Sequence, residues 1–132
     1  VSLTKGFIYE NNEIKLISKI IENRLNIKCG VLMGANIAKE VALGNVSEGT
    51  LGFSSKEGTE LFYNLFNNDY YRISSTKDVE GVEISGTIKN IIALGAGICD
   101  GYKWGTNTKS AIMRNGLKEM IKFSQMYFND VQ

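Results

Sequence analysis

Apolar residues recur along this chain with two different periods, and the change from one to the other divides it near Thr76. Val1-Ser2-Leu3-Thr4 alternates with a period of two, which predicts a short strand ending at Lys5-Gly6. Ile14, Ile17, Ile20, Ile21 and Leu25 recur at helical spacing and predict an amphipathic helix, with Asn11 or Asn12 as its cap. Cys29-Gly30-Val31-Leu32-Met33-Gly34 is a continuous apolar run, the pattern of a buried central strand. A strand is predicted at Thr50–Ser55. It leads into a helix capped by Ser54 or Ser55, with Leu61, Phe62, Leu65 and Phe66 as its apolar face. Tyr70–Thr76 is rich in β-favouring residues and predicts a further strand, its aromatics being core or sheet-covering side chains.

No strand-like run follows Thr76. A long helix is predicted from Lys77 or Asp78, then a glycine-rich connection over Gly101–Gly105, then a second helix capped by Thr106, Asn107 or Thr108. The inward stripe of the second helix comprises Ile112, Met113, Gly116, Leu117, Met120, Ile121, Ser124 and Tyr127. A shift from β/α alternation to helices alone is a natural domain boundary, which divides the chain into residues 1–76 and 77–132.

The first long helix is unusual. From Val82 to Cys99 its polar side chains are Glu83, Ser85, Thr87, Lys89 and Asn90 alone. So apolar a helix is expected inside a domain, and the run is too interrupted for a membrane span. Lys89, flanked by Ile88, Ile91 and Ile92, has two readings. It can snorkel its ammonium to water, or keep it in a dry cleft where desolvation lowers the pKa and makes it a proton-transfer group. Gly86, Asn90, Ala93 and Gly97 follow i, i+4, i+7, i+11 and share one face. Small residues there permit a close helix crossing or the approach of a ligand, and Asn90 offers both donors and an acceptor. Gly95-Ala96-Gly97 begins like a dinucleotide fingerprint, but Asp100 holds the third-glycine position and the run lies within a helix.

Composition narrows the chemistry. The 132 residues are 43% hydrophobic and 22% charged, with a net charge of +1, which gives no electrostatic case for nucleic acid or acidic lipid. No signal peptide or transmembrane run is predicted. Histidine is absent. That removes Ser-His-Asp, Cys-His and histidine–metal arrangements from these residues, and leaves a perturbed Lys, Asp, Glu, Cys or Tyr for proton transfer. Cys29 and Cys99 have no CxxC spacing and read as reduced thiols. Lys5, after the first strand, is either an exposed loop lysine or a group at the ligand end of an open sheet. The Gly34-Ala35-Asn36-Ile37-Ala38 turn is either an ordinary strand-to-helix turn capped by Asn36 or a backbone surface on which a cofactor can lie.

The stretch Glu83-Ile-Ser-Gly-Thr-Ile-Lys89-Asn90-Ile-Ile-Ala-Leu-Gly-Ala-Gly97-Ile-Cys-Asp100-Gly101 resembles the catalytic-helix signature of NAD-dependent glycerol-3-phosphate dehydrogenases. The likeness continues through Trp104-Gly105-Thr106-Asn107-Thr108-Lys109-Ser110-Ala111 and Gly116–Met120. It extends back to Ser2–Gly6 and to Val31–Ala42, whose Gly-Ala-Asn-Ile-Ala turn is that of the eukaryotic form.

The resemblance implies an α/β fold: the C-terminal part of a Rossmann-like dinucleotide-binding sheet, followed by the start of an all-α substrate domain. It also implies that these residues are a central piece of a longer enzyme, as a start without Met would suggest, and that the piece alone does not turn over substrate. The implied reaction interconverts sn-glycerol 3-phosphate and dihydroxyacetone phosphate with NAD and no metal. Lys89 is the implied general acid/base. Lys5 and Asn90 are the implied substrate contacts, and Ala38 and Asn36 belong to the cofactor-contacting turn. The resemblance further implies a cytoplasmic homodimer. A lysine-dependent dehydrogenase of another hydroxy substrate, or a non-catalytic domain retaining the fold, are the alternatives.

Overall fold

The computed structural model describes residues 1–128. Its elements run β1 (Phe7–Glu10), β2 (Glu13–Leu16), α1 (Ile17–Leu25), β3 (Val31–Ala35), α2 (Ala38–Ala42), β4 (Ser47–Gly52), α3 (Lys56–Phe66), β5 (Tyr71–Thr76), α4 (Val79–Gly101) and α5 (Thr106–Tyr127).

The larger sheet has the order β3-β4-β5, with β3 and β4 antiparallel and β4 and β5 parallel. The strand predicted at Val1–Thr4 shrinks to one parallel bridge, Ser2 to Val31, closed by Ser2 N–H on the Gly30 carbonyl and Leu32 N–H on the Ser2 carbonyl. Leu32, Leu51, Tyr71 and Ile73 form the buried cluster under this sheet, with Phe62 and Phe66 of α3 packed on it. Phe53, Phe62 and Phe66 stack in series and extend that layer. Ser55 caps α3 by accepting from Gly58 N–H, as the Ser54-Ser55 pair leads one to expect, and Asp78 caps α4 by accepting from Gly81 N–H.

The segment read as one long helix from Ile14 divides instead. Asn11 and Asn12 both have positive φ, 54° and 61°. They form the tight turn of a β1–β2 hairpin rather than a helix cap. Asparagine tolerates that region better than most residues, and consecutive positive φ values match the right-handed twist of the flanking strands. Lys15 bonds Glu10 across the hairpin at 2.8 Å. Helix α1 then starts at Ile17, with no side chain of its own as cap. Helix α5 likewise begins at Thr106 with Gly105 (φ 88°) in the N-cap position, so it lacks the side-chain cap expected from Thr106, Asn107 or Thr108.

Helix α4 is 23 residues long, and by length and composition it would pass for a membrane span. Its first half is a core element, with Gly81, Glu83, Ile84 and Gly86 buried against the sheet and α1. Its second half is not buried on most sides as predicted: Ile91, Leu94 and Ile98 are 71%, 67% and 46% exposed. Contact with α5 covers one flank, where a Cβ on Gly116 would sit 2.7 Å from Ile92. On α5, Met113, Leu117, Ile121 and Tyr127 of the predicted stripe are exposed, while Ser124 is buried.

Candidate active site

Lys89 is held where the sheet ends. Its Nζ donates to the carbonyl oxygen of Gly34, the fourth residue of β3, at 2.5 Å. The side chain is half-buried between α4 and the sheet. Burial pushes its pKa below the usual 10.5, and the like charge of Lys5 pushes it further in the same direction. Both act against the protonated form, so the neutral amine is more accessible than on a surface lysine. Lys89 thus lies between the two readings: its ammonium is turned back onto the sheet rather than extended into water, yet the side chain is only half-buried beside an open cleft.

The cleft beside it has a volume of about 620 Å³ and opens between the sheet, α4 and α5. Met33, Gly34 and Thr50 line it from the sheet, Ser85, Gly86 and Lys89 from α4, and Met120, Ile121, Ser124 and Gln125 from α5. Gly86 is needed there because a Cβ would lie 2.6 Å from the Met33 side chain. The small-residue face of α4 is therefore divided: Gly86 packs against the sheet, Ala93 is exposed, and a Cβ on Gly97 would meet nothing within 4 Å among the described residues.

The other sequence-selected residues lie around the cleft rather than in it. Lys5 is exposed on the turn before β1, close enough for its charge to act on Lys89. Asn90 is exposed on α4 and does not line the cleft. Asn36 is not a helix cap. Ile37 takes that position in α2, and the Asn36 amide donates to the Tyr71 hydroxyl at 2.7 Å. Ala38 is the exposed first residue of α2. Gly34 is glycine for the sake of the sheet, since a Cβ would collide with the Glu48 carbonyl oxygen and Gly49 of β4.

Three partners of the site escaped the sequence reading. Glu83, fully buried one and a half turns before Lys89, accepts from Ile17 N–H at 2.8 Å and Ser18 N–H at 3.2 Å, and its other oxygen takes the Ser18 hydroxyl. It supplies the cap that α1 lacks. Thr87 accepts from Gly6 N–H at 3.0 Å and donates to the Glu83 carbonyl at 3.0 Å. Tyr71, buried in the core, holds Asn36. The available signal was polarity on an apolar helix face for Glu83 and Thr87. Their partners lie 65 and 81 residues away and leave no local trace. Cys29 and Cys99 are free and buried, and burial pushes the Cys29 thiol up. Among the described residues no group of three or more His, Cys, Asp or Glu is placed to hold a metal ion.

A half-buried lysine thus lies at the carboxyl end of a strand, where a Rossmann-like sheet meets the first of two long helices, an arrangement in keeping with the class of dinucleotide-binding α/β proteins. Known proteins agree at the level of the family. Residues 1–59 match the family model described as NAD-dependent glycerol-3-phosphate dehydrogenase N-terminus, and residues 78–132 match the corresponding C-terminus model. A glycerol-3-phosphate dehydrogenase [NAD(+)] of Cuphea lanceolata is 47% identical across the whole of this chain, which covers 36% of that protein. A cytoplasmic form from Drosophila melanogaster is 46% identical over 97% of this chain and 36% of its own length. A chloroplastic form from Arabidopsis thaliana is 44% identical over 100% of this chain and 33% of its own. The solved glycerol-3-phosphate dehydrogenase of Plasmodium falciparum superposes with a TM-score of 0.91 at 45% identity, over 98% of this chain and 36% of that one. This chain belongs to the NAD-dependent glycerol-3-phosphate dehydrogenase family, and it spans about a third of the length of the curated relatives it matches.

The residues present fit one end of the dinucleotide implied by that family. After Gly34 the turn carries the small, exposed side chains of Ala35 and Ala38, which leave backbone approachable beside the Lys89 ammonium. No GxGxxG sequence occurs in the chain to cradle a pyrophosphate.

Proposed function

We propose that this chain carries the proton-transfer and nicotinamide-facing part of an enzyme interconverting sn-glycerol 3-phosphate and dihydroxyacetone phosphate. The observation that carries the reading is the Lys89 ammonium on the Gly34 carbonyl, with its pKa lowered by burial and by Lys5. NAD, when bound, supplies the hydride acceptor for alcohol oxidation and the donor for ketone reduction.

The chain's own residues do the rest. In oxidation, neutral Lys89 takes the proton from the substrate C2 hydroxyl, and in reduction the ammonium returns it. A lysine with an unperturbed pKa of about 10.4 would hold its proton too tightly for this at neutral pH. The lowering brings the amine nearer to the working range. The Gly34 carbonyl fixes the direction of Nζ and accepts from the charged form. Lys5 and Asn90, exposed beside the cleft rather than in it, would hold the substrate on the open side of Lys89, and the turn containing Asn36 and Ala38 would hold the nicotinamide end of the cofactor. The Tyr71 hydroxyl keeps Asn36 in place. We place the domain boundary after Thr76, where β5 ends. We assign the protein to the cytoplasm, the compartment in the Drosophila relative's name, and expect a homodimer.

The test is steady-state turnover by the intact protein. Glycerol 3-phosphate with NAD should generate NADH, while other small hydroxy compounds should give little. Lys89→Ala should lower kcat roughly 10²- to 10⁴-fold, the usual worth of a positioned acid/base. Near-normal turnover by that variant would remove Lys89 from the mechanism.

A further inference from the structure

The turn that carries Lys5 is hydrogen-bonded to α4 through the Thr87 side chain. Gly6 N–H donates to Thr87 Oγ1 at 3.0 Å, and Thr87 Oγ1 donates to the Glu83 carbonyl at 3.0 Å. A hydroxyl has one proton. With that proton committed to the helix backbone, its lone pairs face outward and can take the Gly6 N–H. Gly6 has φ +135°, a conformation that side-chain-bearing residues rarely adopt, so the turn is built to aim this N–H at the helix. The anchor is itself rigid, because the Glu83 carboxylate is locked onto the first turn of α1.

We propose that Thr87 is a positioning residue, which pins the Lys5–Gly6 turn to α4 so that the Lys5 charge stays beside Lys89. This rests on the reading of Lys89 as the proton-transfer group, two residues further along the same helix. Several other charges beside α4 are engaged elsewhere, although Asp78 also lines the cleft. Lys19 of α1 pairs with Glu80 at 3.0 Å, Glu83 faces Ser18, Lys15 of β2 pairs with Glu10, and Asp78 caps the helix. From the sheet and from α5, the cleft around Lys89 is lined by uncharged side chains such as Met33, Thr50, Met120 and Gln125. Among the described residues Lys5 is the like charge that adds to burial in lowering the Lys89 pKa. Releasing the turn lets the already exposed Lys5 charge move away from Lys89, where water and salt screen it over the longer distance, and Lys89 then holds its proton more tightly.

The experiment is the pH dependence of kcat/KM for glycerol 3-phosphate oxidation by the full-length protein, with Thr87→Val and Thr87→Ser. Valine keeps the shape and removes both hydrogen bonds; serine keeps the hydroxyl. In Thr87→Val the rising alkaline limb should move to higher pH. Rates measured on that limb should fall about tenfold for each pH unit the limb moves, and should recover on the high-pH plateau. Thr87→Ser should restore the limb. In a Lys5→Met background Thr87→Val should cause no further displacement. A limb unmoved in Thr87→Val, with only a lowered melting temperature, would overturn the positioning role while leaving an inactive Lys89→Ala variant explained. An active Lys89→Ala variant would overturn both.

Discussion

Glu83 is the group whose removal has the most readable cost. Its side chain is 0% exposed and ties α4 to the start of α1 through two backbone N–H groups and the Ser18 hydroxyl. Helix α1 has no side-chain cap of its own, so this carboxylate replaces the missing one from 66 residues away. A hydrogen bond to a charged group contributes about 1.5 to 3 kcal/mol, and buried donors left unmade add their desolvation cost. Three such bonds sharing two oxygens do not add fully, so Glu83→Ala should cost about 4 kcal/mol of local stability. At 1.4 kcal/mol per tenfold that is roughly a thousandfold faster opening. Glu83→Gln keeps an oxygen for the two N–H groups and can donate to Ser18 with its amide, so its loss should be about 1 to 2 kcal/mol. Amide hydrogen exchange of Ile17 and Ser18 in the intact protein reads this directly. Equal protection in wild type, Glu83→Gln and Glu83→Ala would refute the reasoning, because it would mean that the carboxylate does not hold these amides.

Other consequences are simpler to check. Burial and Lys5 hold the Lys89 pKa below 10.5, so between the folded and unfolded values the unfolded chain binds the extra proton and stability rises with pH. In urea unfolding, Lys89→Met should therefore show a smaller rise of stability than wild type as the pH approaches 10.5. Gly116→Ala puts a Cβ 2.7 Å from Ile92 and should cost about 1 to 3 kcal/mol by overpacking, read as a lowered urea midpoint. Tyr71→Phe removes the acceptor for Asn36 at about 0.5 to 1.5 kcal/mol, and should raise KM for NAD more than it lowers kcat.

What the sequence disclosed and what it hid follow from range. Strands β4 and β5, the cap Ser55 and the start of α4 rest on neighbours within a few residues, and local patterning placed them within a residue or three. The hairpin was lost because Ile14 happens to fall on the helical period of Ile17, Ile20 and Ile21, so one pattern ran unbroken across a strand and a helix. Asn11-Asn12 fits a cap and a tight turn equally well until the φ values are known. At the site, Lys89 stood out because a charge in an apolar helix needs a reason. Gly34, Thr87 and Tyr71 did not, since their roles depend on Glu48 across the sheet, Gly6 and Asn36, each far away in sequence. The exposed Ile91, Leu94 and Ile98 show the opposite limit: composition marked them as interior, and within these residues one flank of α4 has no cover.

The central claim is that Lys89 gives up its proton more readily than a surface lysine. It can be measured by NMR titration of lysine side chains, carbon-13 labelled at Cε, in the intact protein, with Lys89→Arg used to assign the resonance. The account predicts that Lys89 titrates below 10.5, ahead of the exposed lysines, and that Lys5→Met moves it upward. A Lys89 that titrates together with the exposed lysines, indifferent to Lys5, would contradict it.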